Sequence, residues 1–181
     1  MRVRFFGGYD LDDSLAEDAD RVAKSYASGV PMGGDLAASS GAAPQFLVWA
    51  VRDPLSAPLQ RAQVIKAWIE DGESKEQVFD VACSDGGQVD PRTHRCPDNG
   101  ATVDLSDCSY SADKGDAELV TVWTDPDFDA SERALYYVRI LENPTCRWST
   151  WDAIRAGVEP RPDFAKTIQE RAWSSPIWYV P

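Results

Sequence analysis

Histidine is almost missing from this chain: His94 is the only one in 181 residues. A histidine-based metal cluster or binuclear hydrolase centre cannot be built from one imidazole. A Ser-His-Asp triad would have to use the same residue, and no Gly-x-Ser-x-Gly elbow accompanies it. The phosphate-loop and dinucleotide fingerprints are missing too. His94 itself reads as an exposed loop residue. No apolar run approaches the roughly 20 residues of a membrane helix. Met1-Arg-Val-Arg-Phe-Phe-Gly-Gly has no charged segment followed by a long apolar one, so it does not read as a signal peptide. Basic charge is scarce, with 18 Lys and Arg against 30 Asp and Glu and a net charge of −12. That balance argues against nucleic acid, whose binding depends on cations neutralising phosphates. It suits a soluble protein in an extracytoplasmic or calcium-containing setting, without requiring either.

Cysteine is sparse but patterned. Cys83, Cys96, Cys108 and Cys146 contain no Cys-x-x-Cys pair, which leaves a zinc ribbon poorly supported. Three of them lie in a Gly-, Asp- and Pro-rich stretch. An even number in loops reads as two disulfides and an oxidising compartment. Three pairings are open, and spacing does not choose between Cys83 meeting Cys96 and Cys83 reaching Cys146.

What the chain does have is strand pattern. The last eleven residues, Arg171 to Pro181, are dense in aromatic and β-branched types. Pro176, lacking an N–H, belongs at an edge, a bulge or a strand end. This stretch reads as a closing strand with Trp173, Ile177, Trp178 and Tyr179 packed into the core. Met1–Phe6 opens the chain as a strand. Leu15, Ala19, Val22, Ala23 and Tyr26 recur at helical spacing and predict a helix over 14–28, ended by Gly29. Gly29 to Leu36 reads as a turn or, alternatively, as a loop facing a site, because Gly33-Gly34 beside Asp35 permits close backbone approach. Ala37–Pro44 reads as a surface loop. Gln45–Arg52 is apolar on both faces, the mark of a covered central strand. Residues 62–83 read as a hairpin about Asp71-Gly72.

Ser84–Lys114 is too long for a plain connection and reads as a stapled excursion, with a short strand at 102–105. Strands follow at 118–124 and 135–142. Ser149–Gly157 predicts a short helix capped by Ser149 or Thr150. A Pro-rich crossing at 159–164 leads to the closing strand. About seven strands with turns between them make a mainly-β single domain: an antiparallel, immunoglobulin-like β-sandwich with one or two short helices and a long disulfide-stapled loop.

Two further stretches bear on chemistry. Asp125, Asp127 and Asp129 alternate, but an EF-hand would need Gly and Glu where Ala130 and Tyr136 stand, so an acidic turn is expected. Cys146-Arg-Trp-Ser-Thr-Trp-Asp152 combines Arg147 with Trp148 and Trp151. These residue types anchor interfaces and stack on sugars, and they also serve as structural plugs.

Several segments carry a resemblance. They are Val3-Arg-Phe-Phe-Gly-Gly, Gly29-Val-Pro-Met-Gly-Gly-Asp-Leu, Trp68-Ile-Glu-Asp-Gly-Glu and Gly100-Ala-Thr-Val-Asp. Further ones are Val122-Trp-Thr-Asp-Pro-Asp-Phe-Asp, Tyr137-Val-Arg-Ile-Leu-Glu-Asn-Pro-Thr, Arg147-Trp-Ser-Thr-Trp-Asp and Gln169-Glu-Arg-Ala-Trp-Ser-Ser-Pro-Ile-Trp-Tyr. In order and extent the chain resembles the C-terminal part of a mainly bacterial, often exported family, domain of unknown function number thirty-six-oh-four. That family is distantly related to the PHP (polymerase and histidinol phosphatase) metallohydrolases.

The resemblance implies a periplasmic or extracellular protein. It also implies an N-terminal metallohydrolase domain as partner, with a His-x-His motif that this chain lacks. The chain thus looks like a C-terminal fragment. No catalytic, cofactor-binding or metal-ligating residue is assigned to it, and a divalent metal is expected only in the missing catalytic domain. Met32, Gly33, Gly34, Asp35, Arg147, Trp148 and Trp151 are the candidates to face that partner. A free-standing module that binds carbohydrate or protein, using Trp148 and Trp151, is the second reading. An enzyme pairing Asp35 with another carboxylate is the third.

Overall fold

A computed structural model describes residues 1–39 and 41–181. Strand β1 (Arg2–Gly8) alternates Phe5 toward one side and Phe6 toward the other, and both are buried. It pairs antiparallel with β2 (Gly29–Pro31) and β4 (Gln45–Val51). β7 (Glu118–Thr124) completes a smaller sheet ordered β2-β1-β4-β7. The larger sheet holds β3 (Asp35–Ala37), β12 (Ile177–Val180), β8 (Ala134–Glu142), β5 (Leu59–Glu70) and β6 (Glu73–Cys83), in that order. β11 (Arg171–Trp173) also pairs with β8. All pairs are antiparallel except β12 with β3. A ribbon of β9 (Thr145–Cys146) and β10 (Thr167–Ile168) stands apart.

The two sheets bury their facing side chains together, as a sandwich does. Phe5, Phe46, Val48 and Leu119 come from the smaller sheet; Val64, Tyr136, Val138 and Ile177 come from the larger. Each such large apolar side chain contributes about 1.5–3 kcal/mol by leaving water. The mainly-β sandwich expected from the sequence is therefore present. Among the described residues its six strands of seven residues or more and the four-residue β12 are accompanied by five of two or three residues. β4 is covered on both faces, as its unbroken apolar run requires. Its outer face meets Phe6, Leu11 and Leu15 in a second cluster.

That second cluster is roofed by a 3₁₀ turn (Asp13–Ala16) and helix α1 (Arg21–Ser28). The single helix expected over 14–28 is thus split. Asp18 accepts the Asp20 N–H at 2.7 Å and also binds Lys24. An acidic side chain competing for backbone donors opens the helix at that point. The β5–β6 hairpin turns at Asp71 (φ 52°) and Gly72 (φ 80°), the two left-handed residues of a primed turn. In the 84–114 excursion the short strand expected at 102–105 reduces to one bridge, Val103 with Tyr110. Two disulfides staple this excursion, Cys83–Cys96 and Cys108–Cys146. His94 lies within it half-buried, edge-on to Phe79 at 5.0 Å, so it is packed rather than free in water.

Helix α2 (Trp148–Ala156) is closed by Gly157 as predicted. Its N-cap is Arg147, without a side-chain cap, rather than Ser149 or Thr150. Within the expected loop 37–44, Ser40 lies outside the described residues and Ala37 belongs to β3; Ala38, Ser39, Gly41 and Ala42 are exposed. The closing stretch needs a correction. Ile177 and Tyr179 are buried, but Trp173 is 57% and Trp178 41% exposed. A strand sends alternate side chains to opposite faces. Among the described residues no helix lies over the outer face of the larger sheet, unlike that of the smaller one.

Candidate functional site

The glycine loop 31–35 is built as a turn. Gly33 adopts φ +91°, a conformation side chains disfavour, and its N–H donates to the Pro176 carbonyl at 2.8 Å. The Trp178 N–H donates to the Gly34 carbonyl at 3.0 Å, and Asp35 sits opposite Trp178 in the parallel pair. Met32 packs its side chain on the core. Gly33, Gly34 and Asp35 therefore stand at the edge of the larger sheet, beside an exposed indole.

From that edge a groove of about 540 Å³ runs across the end of the sheet, lined by Trp68, Ile69, Leu135 and Trp178 with Lys75 and Glu132 among its charged residues. Its lining is mostly apolar. Ile69 is 64% exposed. An apolar concavity with a few charges is the usual form of a recognition surface.

Beneath the groove lies a buried charge network. The Lys66 ammonium is 3.0 Å from Asp125 Oδ2 and 3.4 Å from Glu132 Oε2, and it donates to the Asp127 carbonyl at 2.9 Å. The Tyr136 hydroxyl donates to the same Asp125 oxygen at 2.8 Å. Burial, with the Asp125 charge beside it, raises the Tyr136 phenol far above its ordinary range, so it stays protonated. Asp125 Oδ1 accepts the Asp127 N–H, and Asp129 accepts both the N–H and the hydroxyl of Ser131. Those bonds hold the Asp129 carboxyl below the usual range. The three aspartates thus diverge into separate turns, as an acidic turn predicts. Among the described residues no three His, Cys, Asp or Glu side chains converge as metal ligands.

Arg147, Trp148 and Trp151 lie elsewhere. Trp178 pairs with Leu135 near the start of β8, whereas β9 and α2 follow its far end. Seven strand steps, from Leu135 to Glu142, separate them by roughly 23 Å. The structure therefore divides the seven candidate residues into two surfaces. Trp148 is 73% and Trp151 36% exposed, and the Arg155 guanidinium lies 5.3 Å from the Trp151 ring centre. At positions i, i+3 and i+7 these three share one face of α2. Trp148 and Trp151 thus face solvent rather than plug the core; Thr150 and Ala153 are the buried residues of the helix.

A second, polar groove of about 600 Å³ is lined by Gln60, Arg61, Asp98, Thr167 and Gln169. Its main polar groups already bond one another: Arg61 to Gln60 and Asp80, Gln169 to Gln60 and the Glu142 carbonyl. Gln60 also donates to Asn99 at 3.2 Å, which ties the excursion to β5.

Trp178, Lys66 and Glu132 were missed as site residues by the sequence reading. The signal for Lys66 was its phase: it shares a strand face with Val64 and Trp68, both of which pack on the core. No helix among the described residues is long and apolar enough to cross a membrane. Two disulfides are the signature of an oxidising compartment.

Comparison with known proteins gives no match among curated proteins and none among solved structures. A family model described as "Protein of unknown function (DUF3604)" matches residues 1–181. The chain therefore belongs to the DUF3604 family.

Proposed function

We propose that this chain is a non-catalytic β-sandwich domain that packs on and completes a PHP-like metallohydrolase domain carried elsewhere, in the periplasm or outside the cell. One observation carries the reading. The larger sheet leaves part of its outer face open, with Trp173, Trp178 and Ile69 partly in water, and the glycine loop of the family motif borders that part. Solvent-facing tryptophans of this kind are the anchors of protein interfaces. The divalent metal belongs to the partner domain in this reading.

The test has two arms. The isolated chain should show no phosphatase or esterase turnover with added Mn²⁺ or Zn²⁺. Metal-dependent turnover by the chain alone would overturn the reading. Coexpressed with a metallohydrolase domain of the same family, the chain should copurify, and Trp178→Ala with Ile69→Ser should abolish copurification. Unchanged copurification of that variant would remove the open face from the proposal.

A second reading has its own support. Trp148 and Trp151 share one exposed helix face with Arg155, an arrangement suited to stacking on a sugar ring. Oligosaccharide binding that quenches tryptophan fluorescence, and is lost in Trp148→Ala, would favour the free-standing module.

A further inference from the structure

A β-sheet edge presents unpaired backbone donors and acceptors, and folded proteins blunt such edges. Three of the four edges of the two sandwich sheets are blunted. β2 and β3 are three residues long, and β2 ends on Pro31. β6 is covered over part of its length: the Asp80 N–H donates to the His94 carbonyl, Arg95 donates to the Val78 carbonyl, and Cys83–Cys96 fastens the covering loop. The rest of β6 carries Glu73, Lys75 and Glu76.

β7 is different. Among the described residues its seven residues, Glu-Leu-Val-Thr-Val-Trp-Thr, pair with β4 on one side and with no strand on the other, where the end of β6 approaches without pairing. It has no proline and no bulge. Its one charge, Glu118, is engaged by Arg21 at 3.3 Å and by the Trp49 indole N–H. Beside this edge runs a groove of about 370 Å³ lined by Val81, Val89, Leu119, Val120 and Thr121.

We propose that β7 is a strand-addition site, and that its occupant is β7 of a second copy of the chain. The strand's self-complementarity argues for this partner. Run antiparallel about a two-fold axis through Thr121, Leu119 meets Trp123, Val120 meets Val122 and Glu118 meets Thr124. No like charges oppose each other, and the cross-strand pairs are the β-branched and aromatic kinds that stabilise sheets. A two-fold interface of this kind joins the two four-stranded sheets into one continuous sheet. It leaves the open face of the larger sheet free, so it is independent of the domain-packing reading.

Sedimentation of the 181-residue chain over a range of concentrations tests the proposal. The expected result is a species of twice the 20.0 kDa chain mass. Its population should rise with salt, because each copy carries −12 and screening weakens their repulsion. The native cysteines are all paired, so a new thiol reports cleanly. Thr121→Cys on the axis should bring two Cα atoms to about 4.5–5.5 Å, within disulfide reach. It should crosslink the dimer spontaneously, while Ala27→Cys on α1 should not. Hydrogen exchange gives a readout without substitution: β7 amides should slow only at concentrations where the dimer forms. A monomer at every concentration overturns the proposal, as does a dimer that Thr121→Cys fails to crosslink and whose β7 amides stay fast.

Discussion

At the scale of single residues, Lys66 is the side chain on which most depends. It is 3% exposed and faces Asp125, whose side chain is wholly buried. Removing one member of a buried ion pair leaves the other charge stranded, which costs about 3–5 kcal/mol. Lys66→Met should lose that much in urea unfolding, and adding Asp125→Leu should recover part of it. A single variant as stable as the parent would deny the network its role. Glu142 tests a different balance. Burial raises its carboxyl above the ordinary value of 4.5, and the Ser56 hydroxyl bond lowers it by less. A folded pKa above the unfolded one means stability is fullest below 4.5 and is lost as pH rises through the raised value. Glu142→Gln keeps an acceptor for Ser56 without the charge. It should therefore gain melting temperature relative to the parent at pH 7 and lose that advantage at pH 4. An equal difference at both pH values would contradict this. Neither residue was singled out in the sequence, because a charge at a strand position looks the same whether its face is wet or dry.

At the scale of elements, local chemistry made some structures legible and competition hid others. The β5–β6 hairpin was readable because Asp71-Gly72 supplies two positive-φ residues between alternating runs. β4 was readable because the six-residue apolar run Phe46–Val51 fits a strand covered on both sides. The break between the 3₁₀ turn and α1 was not, since it depends on Asp18 taking its own neighbours' donors. Cysteine pairing was not readable either, because it follows the path of the excursion in space. Once known, the pairing ranks the two disulfides. Cys108–Cys146 closes 38 residues and Cys83–Cys96 closes 13. Chain entropy then assigns about 4 kcal/mol to the first and about 3 to the second. Replacing Cys108 and Cys146 by alanine should lower the melting temperature more than replacing Cys83 and Cys96. The reverse order would mean that the β6 edge, not the larger loop, limits stability.

At the scale of the whole molecule, the sandwich was legible from the number and spacing of periodic runs, but its open face was not. Trp173 and Trp178 were assigned to the core on hydrophobicity, whereas the pleat sends them outward beside Ile177 and Tyr179, which do go in. Which sheet face a helix covers is a property of the assembled layers. If the open face serves a partner, it contributes little to this domain's own stability. Trp178→Gln with Ile69→Thr should shift unfolding by no more than about 0.5 kcal/mol per site and reduce binding of a hydrophobic dye. A large loss of stability would make the face structural. The position of β12 also sets a clock. It lies between β3 and β8, yet it is the last of the twelve strands to leave the ribosome. Until then β3 has no strand to join, and the larger sheet cannot be completed. Such long-range closure folds slowly. Through that interval the edge of β3 stays unpaired, and an unpaired strand edge is where a growing chain is most open to mispairing.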